Sequence, residues 1–308
     1  MSSVLFDVPG PKAIARNRLI GILTVLVVLA VLGWVVWRLY ATGQFTAEKW
    51  NIFTFSAVWV RFGQGLLSTL AAFAVAAVGS VVLGFVLGIG RLSDHAWVRE
   101  PVRWIIEVLR AVPVLVLMML LYYGLPVAGI KMPPYFAVVI ALIVYNGSVL
   151  AEVLRAGVES LPRGQSEAGY AIGLRKSGVM RLILLPQAVR AMMPVIIAQL
   201  VVALKDTALG FIITYQELLY VINQIGNQAP YGSPLIQSAM IGGTMYVAVC
   251  LVLSYIAYRM QRRVKRSPKQ AAAIGNVAAD DEATLTEAIA LQSRAGKYDG
   301  NNSGAQGL

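Results

Sequence analysis

Charged and polar side chains lie inside the apolar segments of this sequence, and two groups of them have helical spacing. Ser148, Glu152 and Arg155 follow one another at i, i+4 and i+7, so they share one face of a helix. Glu107 and Arg110 are i, i+3 neighbours. Charge at membrane depth is costly, so such side chains usually face a protein interior or a water-filled path. The pattern therefore leaves two roles open, ion pairs that hold helices or contacts with a charged substrate.

Further along the chain, Gln199 lies in an apolar run that ends at Lys205, Asp206 and Thr207. An anionic solute that crosses a low-dielectric passage needs cations or hydrogen-bond donors along its path. The sequence thus predicts a substrate pathway from the polar residues of these segments, which are Arg110, Ser148, Glu152, Arg155, Gln199, Lys205 and Thr207.

A polar stretch at residues 166–186 interrupts the apolar sequence and has a distinctive spacing. Glu167-Ala168-Gly169 is followed after three residues by Gly173, and Leu185-Pro186 closes the stretch. Glycine suits a tight turn because it adopts left-handed backbone angles without steric cost. Proline is tolerated in the first turn of a helix. We expect a helix, a turn at Gly173 and a second helix that Pro186 opens, with Gly169 weakening the first helix by about 1 kcal/mol relative to alanine.

Composition places these residues in a membrane protein. The 308 residues are 58% hydrophobic and only 13% charged, whereas soluble domains are nearer a quarter charged. The net charge of +11 resides in loops between apolar runs and not on one amphipathic face, so no nucleic-acid partner is expected. One histidine and one cysteine form no metal-ligand cluster, and we expect no metal and no cofactor.

Six apolar runs are long enough to cross a bilayer, and they predict an all-α integral membrane fold. The predicted spans are residues 19–40, 65–89, 102–125, 134–156, 186–203 and 235–258. Lysine and arginine are concentrated on one side of this arrangement, which places both termini and residues 166–186 in the cytoplasm. The sequence contains no GxxxxGK[ST] phosphate loop, so any ATP chemistry belongs to another chain.

These spans divide the chain into four predicted regions. A cytoplasmic segment at 1–18 precedes a first helix and an external interfacial segment at 19–62. Residues 63–258 form the main transmembrane domain, with a cytoplasmic loop at 157–186. Residues 259–308 begin as a basic collar that contacts lipid head groups and continue as a largely disordered tail.

The stretch at 166–186 resembles the EAA loop of ABC importer permeases. Three further segments are similar to the polar amino acid branch of that family, which imports histidine, glutamine, glutamate and arginine. They are Leu109 to Pro113, Glu152 to Gln165, and Lys205 to Leu209. Val149 and Ala208 depart from the usual tyrosine and serine of the branch. The chain is most similar to actinobacterial glutamate permease subunits in three features: the amino-acid sequence of residues 145–150, the additional first helix and the tail.

The resemblance implies a type I importer core of five helices, preceded here by one additional helix. It implies a non-catalytic permease that imports a polar amino acid, glutamate or another acidic or amide amino acid, by alternating access. It also implies three protein partners: a dimeric ATPase, a second permease subunit in a heterodimer or homodimer, and an extracytoplasmic substrate-binding protein. The residues of the loop that would couple to the ATPase are Glu167, Ala168, Gly169, Gly173, Leu185 and Pro186.

Two other classes of membrane protein fit this sequence less well than an ABC permease. A secondary amino acid transporter or channel would show inverted repeats or broken helices at matching places in two halves, and the sequence shows neither. A membrane-embedded enzyme would need a metal cluster or a nucleophile with its base, and the sequence offers no such constellation. The ABC permease remains the leading hypothesis.

Overall fold

The computed structural model of the chain describes residues 10–265, and every regular element in that range is helical. The α-helices are α1 Pro11–Ala41, α2 Ala47–Asn51, α3 Ser56–Arg91, α4 Ala96–Ala111, α5 Val114–Met119, α6 Leu125–Val127, α7 Pro134–Glu159, α8 Arg163–Ala171, α9 Lys176–Gly178, α10 Leu185–Asp206, α11 Leu218–Gly226 and α12 Leu235–Lys265. The 3₁₀ segments are Ile52–Thr54, Thr207–Ile213 and Ala229–Tyr231, and the π-helical segments are Leu120–Gly124 and Val179–Leu184. The predicted all-α class is confirmed.

Within residues 10–265, five helical runs are long and apolar enough to cross a membrane. Their bounds are Lys12–Ala41, Ser56–Arg91, Pro134–Glu159, Lys176–Ile213 and Leu235–Arg259. A sixth span is counted if the bent pair Ala96–Ala111 and Val114–Val127 crosses as one unit. The predicted number of six agrees with that upper count.

The third predicted span, residues 102–125, is not the continuous helix that we expected. Helices α4 and α5 meet at an angle of 94°. Pro113 lies at the break with φ −56° and ψ 136°, so the chain there is extended. Proline lacks the N–H that would continue the helix, and its ring disfavours helical angles at Val112. The apolar composition was read correctly, but the proline ends one helix and precedes another.

The described chain divides into two compact units. The first consists of residues 1–83, 107–147 and 203–250, and the second of 84–106, 148–202 and 251–308, although positions 1–9 and 266–308 lie outside the described range. The predicted tail and most of the basic collar therefore also lie outside the described residues.

Two apolar clusters form the core of the first unit. One joins α3, α5 and α7, with Ala76, Met118 and Leu142 fully buried. The other packs α11 against the beginning of α3 around Phe62 and Leu218. Helix α1 belongs to this unit in sequence, but none of its most apolar stretch is buried. Such a helix is suited to a lipid environment, because exposed apolar side chains are costly only in water.

Candidate functional site

Residues 163–178 of the second unit form the expected helix, turn and helix. Helix α8 ends in a Schellman motif, in which the Gly173 N–H donates to the Tyr170 carbonyl and the Leu174 N–H donates to the Gly169 carbonyl, at 2.9 and 3.1 Å. Gly173 has φ +83°, and a β-carbon there would meet no atom within 4 Å. This glycine is therefore required for its backbone angle and not for space.

Gly169 has a packing role that the sequence reading missed. A β-carbon at this position would lie 2.8 Å from Val179 Cγ2 and 2.9 Å from Ile183 Cδ1. The glycine lets α8 contact the π-helical segment Val179–Leu184 directly. The loss of helix propensity that we expected at Gly169 is the local cost of this close approach.

We expected Pro186 to open a helix, but the structure places it within a continuous helical run. The helical run begins at Lys176, continues through the π-helical segment, and places Pro186 as the second residue of α10, after the half-buried Leu185. A π turn shifts the pairing of backbone N–H and carbonyl groups, and local π adjustments accommodate a proline that has no N–H to donate. The Gln187 side chain donates to the Gln165 side chain at 3.3 Å and thereby links α10 to α8.

The loop presents an exposed and partly apolar surface. Glu167, Ala168 and Gly173 are exposed, and Tyr170 and Ile172 expose 48% and 76% of their surface. Two large apolar side chains beside a carboxylate on one short helix are typical of a surface that binds another protein. Neither Tyr170 nor Ile172 was singled out from sequence, because single apolar residues in a loop carry no periodic signal.

The same loop is fixed to the turn between α3 and α4. The Lys176 ammonium donates to the Leu92 carbonyl at 3.2 Å and forms an ion pair with Asp94. A lysine that satisfies a carbonyl at the end of α3 also complements the negative end of that helix. No local spacing rule pairs Lys176 with Asp94, because they are 82 positions apart.

Glu152 and Arg155 are brought together in an ion-pair network of the second unit. Arg155 Nε donates to Glu152 at 2.9 Å, and its guanidinium also contacts Glu159. Arg91 Nε lies 3.5 Å from the other Glu152 oxygen, close enough for an ion pair but not aligned for a hydrogen bond. The side chains of Arg91, Glu152 and Arg155 are 16%, 20% and 29% exposed. Two arginines and two glutamates balance one another, so the network carries no net charge.

Lys205 and Thr207 lie at the end of α10 in the first unit. The Lys205 side chain is exposed and has no ion-pair partner among residues 10–265, whereas Thr207 is fully buried. The Thr207 hydroxyl donates to the Leu204 carbonyl at 2.6 Å, and the Tyr246 hydroxyl donates to the same carbonyl at 2.7 Å. These bonds satisfy a carbonyl at the point where the helix tightens into a 3₁₀ turn.

The other three predicted pathway residues lie on three different helices. Arg110 is exposed near the end of α4 and has no ion-pair partner in the described part of the chain. Ser148 is fully buried on α7, and Gln199 is half-buried on α10. Arg110 belongs to the first unit, with Lys205 and Thr207, and the other two belong to the second.

Glu217 is a buried carboxylate that the sequence reading did not select. It caps α11, and its two oxygens accept the N–H groups of Leu219 and Tyr220 at 2.8 and 2.7 Å. Burial raises the pKa of Glu217 to about 7, although the two N–H groups oppose the rise. Burial also raises the pKa of nearby Tyr215 to about 12, and its hydroxyl donates to the Ser68 carbonyl at 2.7 Å. The signal in the sequence was a glutamate directly before an apolar helix.

Acidic and metal-ligating side chains are dispersed across the described residues. No group of three histidine, cysteine, aspartate or glutamate side chains among them could hold a metal ion. The arrangement offers an exposed loop held by hydrogen bonds, a neutral ion-pair network and, at Arg110 and Lys205, cations with no ion-pair partner in the described range.

Comparison with known proteins adds independent information. The sequence profile of the family described as "Binding-protein-dependent transport system inner membrane component" matches residues 80–266. The glutamate transport system permease protein GluD of Corynebacterium glutamicum is 37% identical over 231 residues, covering 74% of this chain and 84% of the relative. The glutamine transport system permease protein GlnP of Escherichia coli K12 is 33% identical, covering 69% of this chain and 98% of the relative.

Solved structures show the same fold. A crystal structure of an amino acid ABC transporter with histidines matches at a TM-score of 0.63 and 27% identity, covering 71% of this chain and all of that chain. A crystal structure of a bacterial ABC transporter involved in the import of the acidic polysaccharide alginate matches at a TM-score of 0.58 and 15% identity, covering 83% of this chain and 99% of that chain, and this likeness concerns the fold alone.

Proposed function

The chain belongs to the family of binding-protein-dependent transport system inner membrane components, and from that premise we propose that it imports glutamate, or another acidic or amide amino acid. It is a multi-pass inner membrane protein and an ABC importer permease for polar amino acids. Glutamate is favoured by the glutamate permease of Corynebacterium glutamicum at 37% identity, while glutamine permeases at 33% support the wider substrate class.

The observation that carries this proposal is the exposed helix-turn-helix loop around α8. In the proposed mechanism a separate ATPase subunit binds the surface formed by Glu167, Tyr170 and Ile172, and ATP-driven closure of the ATPase dimer moves the loop. Because Gly169 lets α8 contact residues 179–184 and Gln187 links α10 to Gln165, a displacement of α8 passes into α10. A second permease subunit, in a heterodimer or a homodimer, supplies the other loop, and a substrate-binding protein delivers the amino acid from outside. Both termini lie in the cytoplasm in this arrangement.

Two variants of the loop test the coupling. Gly173→Val forces a β-branched residue into φ +83°, and Glu167→Arg reverses the charge of the docking surface. We expect both proteins to remain in the membrane and assemble with the permease partner, while the ATPase either dissociates in detergent or hydrolyses ATP without uptake of radiolabelled glutamate.

Matched controls are available in the same chain. Gly164→Val adds the same side chain to α8 at a site with open space and no positive φ, and Glu48→Arg reverses an exposed carboxylate on α2. Both controls should retain uptake within about twofold of wild type. Wild-type ATPase retention and uptake in Gly173→Val and Glu167→Arg would exclude this loop as the coupling element.

The substrate pathway is a further part of the proposal. Arg155 is already neutralised by Glu152 and Glu159, whereas Arg110 and Lys205 have no ion-pair partner in the described range and are available to substrate carboxylates. Ser148, Gln199 and Thr207 would supply neutral hydrogen-bonding groups. Lys205→Met should lower glutamate uptake by about tenfold, which is the loss of one charge-assisted hydrogen bond, and leave assembly intact. Unchanged uptake by this variant would remove Lys205 from the pathway.

A further inference from the structure

A cavity of about 310 Å³ lies in the first unit, between the beginning of α3 and the end of α11. Ile52, Phe55 and Tyr231 form an apolar wall, on which the rings of Phe55 and Tyr231 meet edge to face at 6.0 Å. Arg61 and Gln224 lie on the polar side. The volume is at the small end of the range of sites that hold organic ligands, about 300 to 1,000 Å³.

The polar side of the cavity is cationic. The guanidinium of Arg61 supplies this charge, and no carboxylate of residues 12–259 lies within ion-pair distance of it. Gln224 and Gln228 provide amide groups beside it, and no aspartate or glutamate is among the residues that line the cavity. A guanidinium with neighbouring amide donors matches the oxygens of a phosphate group.

The position of the cavity along α3 points to the membrane interface. Helix α3 has 36 residues, which correspond to about 54 Å, whereas the hydrocarbon core is about 30 Å thick. Its first turns, which include Ala57 and Arg61, therefore reach head-group level. Trp50 and Trp59 flank this region, and tryptophan is enriched at that depth.

We propose that this cavity binds an anionic phospholipid, with its phosphate on Arg61, Gln224 and Gln228 and the beginning of its acyl chains on Ile52, Phe55 and Tyr231. An apolar wall opposite a single cation fits an amphiphile, because a free inorganic anion would leave that wall in contact with water. No lining carboxylate pairs with the ammonium of a zwitterionic lipid, so the net negative charge of an anionic lipid is the better match to Arg61.

Lipid retention by the purified full-length chain tests the proposal by native mass spectrometry. Phosphatidylglycerol and phosphatidylcholine are offered separately at equal concentration. We expect the wild-type protein to retain phosphatidylglycerol about fivefold better, the contribution of one interfacial arginine. Arg61→Gln should remove this preference. Ala57→Trp, which fills the cavity but keeps the arginine, should lower retention of phosphatidylglycerol to the same level.

Two controls locate the effect. Lys49→Gln removes another cation of the first unit, one that is bonded to Gln44 and does not line the cavity. Val60→Trp adds the same bulk to an exposed position of α3 outside the cavity. Both should behave as wild type. Equal retention of the two lipids, an unchanged preference in Arg61→Gln or Ala57→Trp, or displacement of the lipid by millimolar inorganic phosphate would overturn the assignment.

Discussion

Glu217 in the first unit and Glu152 in the second are both largely removed from solvent, but their charges meet different partners. Glu217 contacts two backbone N–H groups, and it forms no ion pair with a cation of residues 12–259. Glu152 lies between Arg91 and Arg155. Backbone dipoles compensate a buried charge only in part, whereas two guanidinium groups neutralise it. The pKa of Glu217 therefore lies near neutral pH, whereas Glu152 forms ion pairs with two arginines.

The difference fits two separate tasks. A neutral ion-pair network lets α3 and α7 hold each other across several residues without leaving net charge at membrane depth. A capped carboxylate instead fixes one short helix: α11 begins at Glu217, and the Leu218 N–H donates to Thr69 on α3 at 3.1 Å. Charge neutralisation holds long helices in one unit, and backbone capping holds an irregular segment in the other.

The largest expected effect is a pH dependence that belongs to Glu217. Its pKa is about 7 in the folded protein and 4.5 as the ordinary value, so between these pH values the native state binds more protons than the unfolded state. The contribution of Glu217 to stability is therefore complete at and below pH 4.5, falls as the pH rises to about 7, and changes no further above it; the full change is about 3 kcal/mol. The free energy of unfolding in mixed micelles should therefore fall between pH 4.5 and 7 for wild type and stay constant in this range for Glu217→Gln, as far as this group is concerned.

A matched variant isolates the origin of that slope. Glu48 is an exposed carboxylate of the same unit, and Glu48→Gln should follow the wild-type pH profile. If Glu217→Gln kept the wild-type dependence between pH 4.5 and 7, the carboxylate would already be ionised in the fold and the contrast with Glu152 would disappear.

A smaller effect is expected from the network of the second unit. Arg91→Met or Glu152→Gln should each cost about 2 kcal/mol, below the 3 to 5 kcal/mol of a fully buried pair, because these groups retain some contact with solvent. The double variant should cost about 1 kcal/mol less than the sum. The exposed pair of Arg99 and Glu100, at 42% and 46% exposure, is the reference and should couple by less than about 0.5 kcal/mol. Equal coupling in the two cycles would show that the network contributes no more than a surface pair.

Local sequence rules predicted the helices but not what ends or joins them. Apolar runs located each span because they must match the bilayer. The apolar pattern predicts Pro113 within a span, although the helix breaks there. The loop pattern predicts Pro186 as a helix start, although a π-helical segment continues the helix through it. The break at Pro113 follows from the chemistry of proline, which average hydropathy does not register, whereas the continuous helix at Pro186 depends on how neighbouring turns satisfy the backbone.

In the loop and the ion pairs, too, local sequence rules predict some features, and others depend on distant residues. Gly173 was predicted because a turn has its own residue chemistry, and its φ of +83° confirms it. The role of Gly169 depends on residues 179–183, and the partner of Glu152 on α3 is 61 positions away. Helical spacing identified Glu152 with Arg155, because three residues bring side chains onto one face. It could not identify Arg91, because contacts between helices depend on packing.

The smallest expected effect compares one turn in each unit. Thr214 ends a 3₁₀ segment of the first unit with φ +63°, and its N–H and that of Tyr215 donate to the Phe211 and Gly210 carbonyls at 3.1 and 3.0 Å. These are the two bonds that Gly173 and Leu174 make in the second unit. A β-branched residue in left-handed angles costs about 1 to 2 kcal/mol. The Thr214 hydroxyl recovers part of this cost by a hydrogen bond to Tyr122 at 3.2 Å.

Exchanging the turn residues should therefore give unequal results. Thr214→Gly relieves the strain but loses the Tyr122 bond and adds unfolded-state entropy, so stability should change by less than about 0.5 kcal/mol. Gly173→Ala gains no compensating contact and should cost about 1 kcal/mol. Gly164→Ala, in the first turn of α8 with ordinary angles, should instead stabilise by about 0.5 kcal/mol because alanine is the better helix former. The three values come from unfolding in mixed micelles at one pH above 7, where Glu217 no longer titrates. If Gly173→Ala stabilised the protein as Gly164→Ala does, its left-handed angle would not be a constraint of the fold, and the loop of the second unit would be no more rigid than an ordinary surface turn.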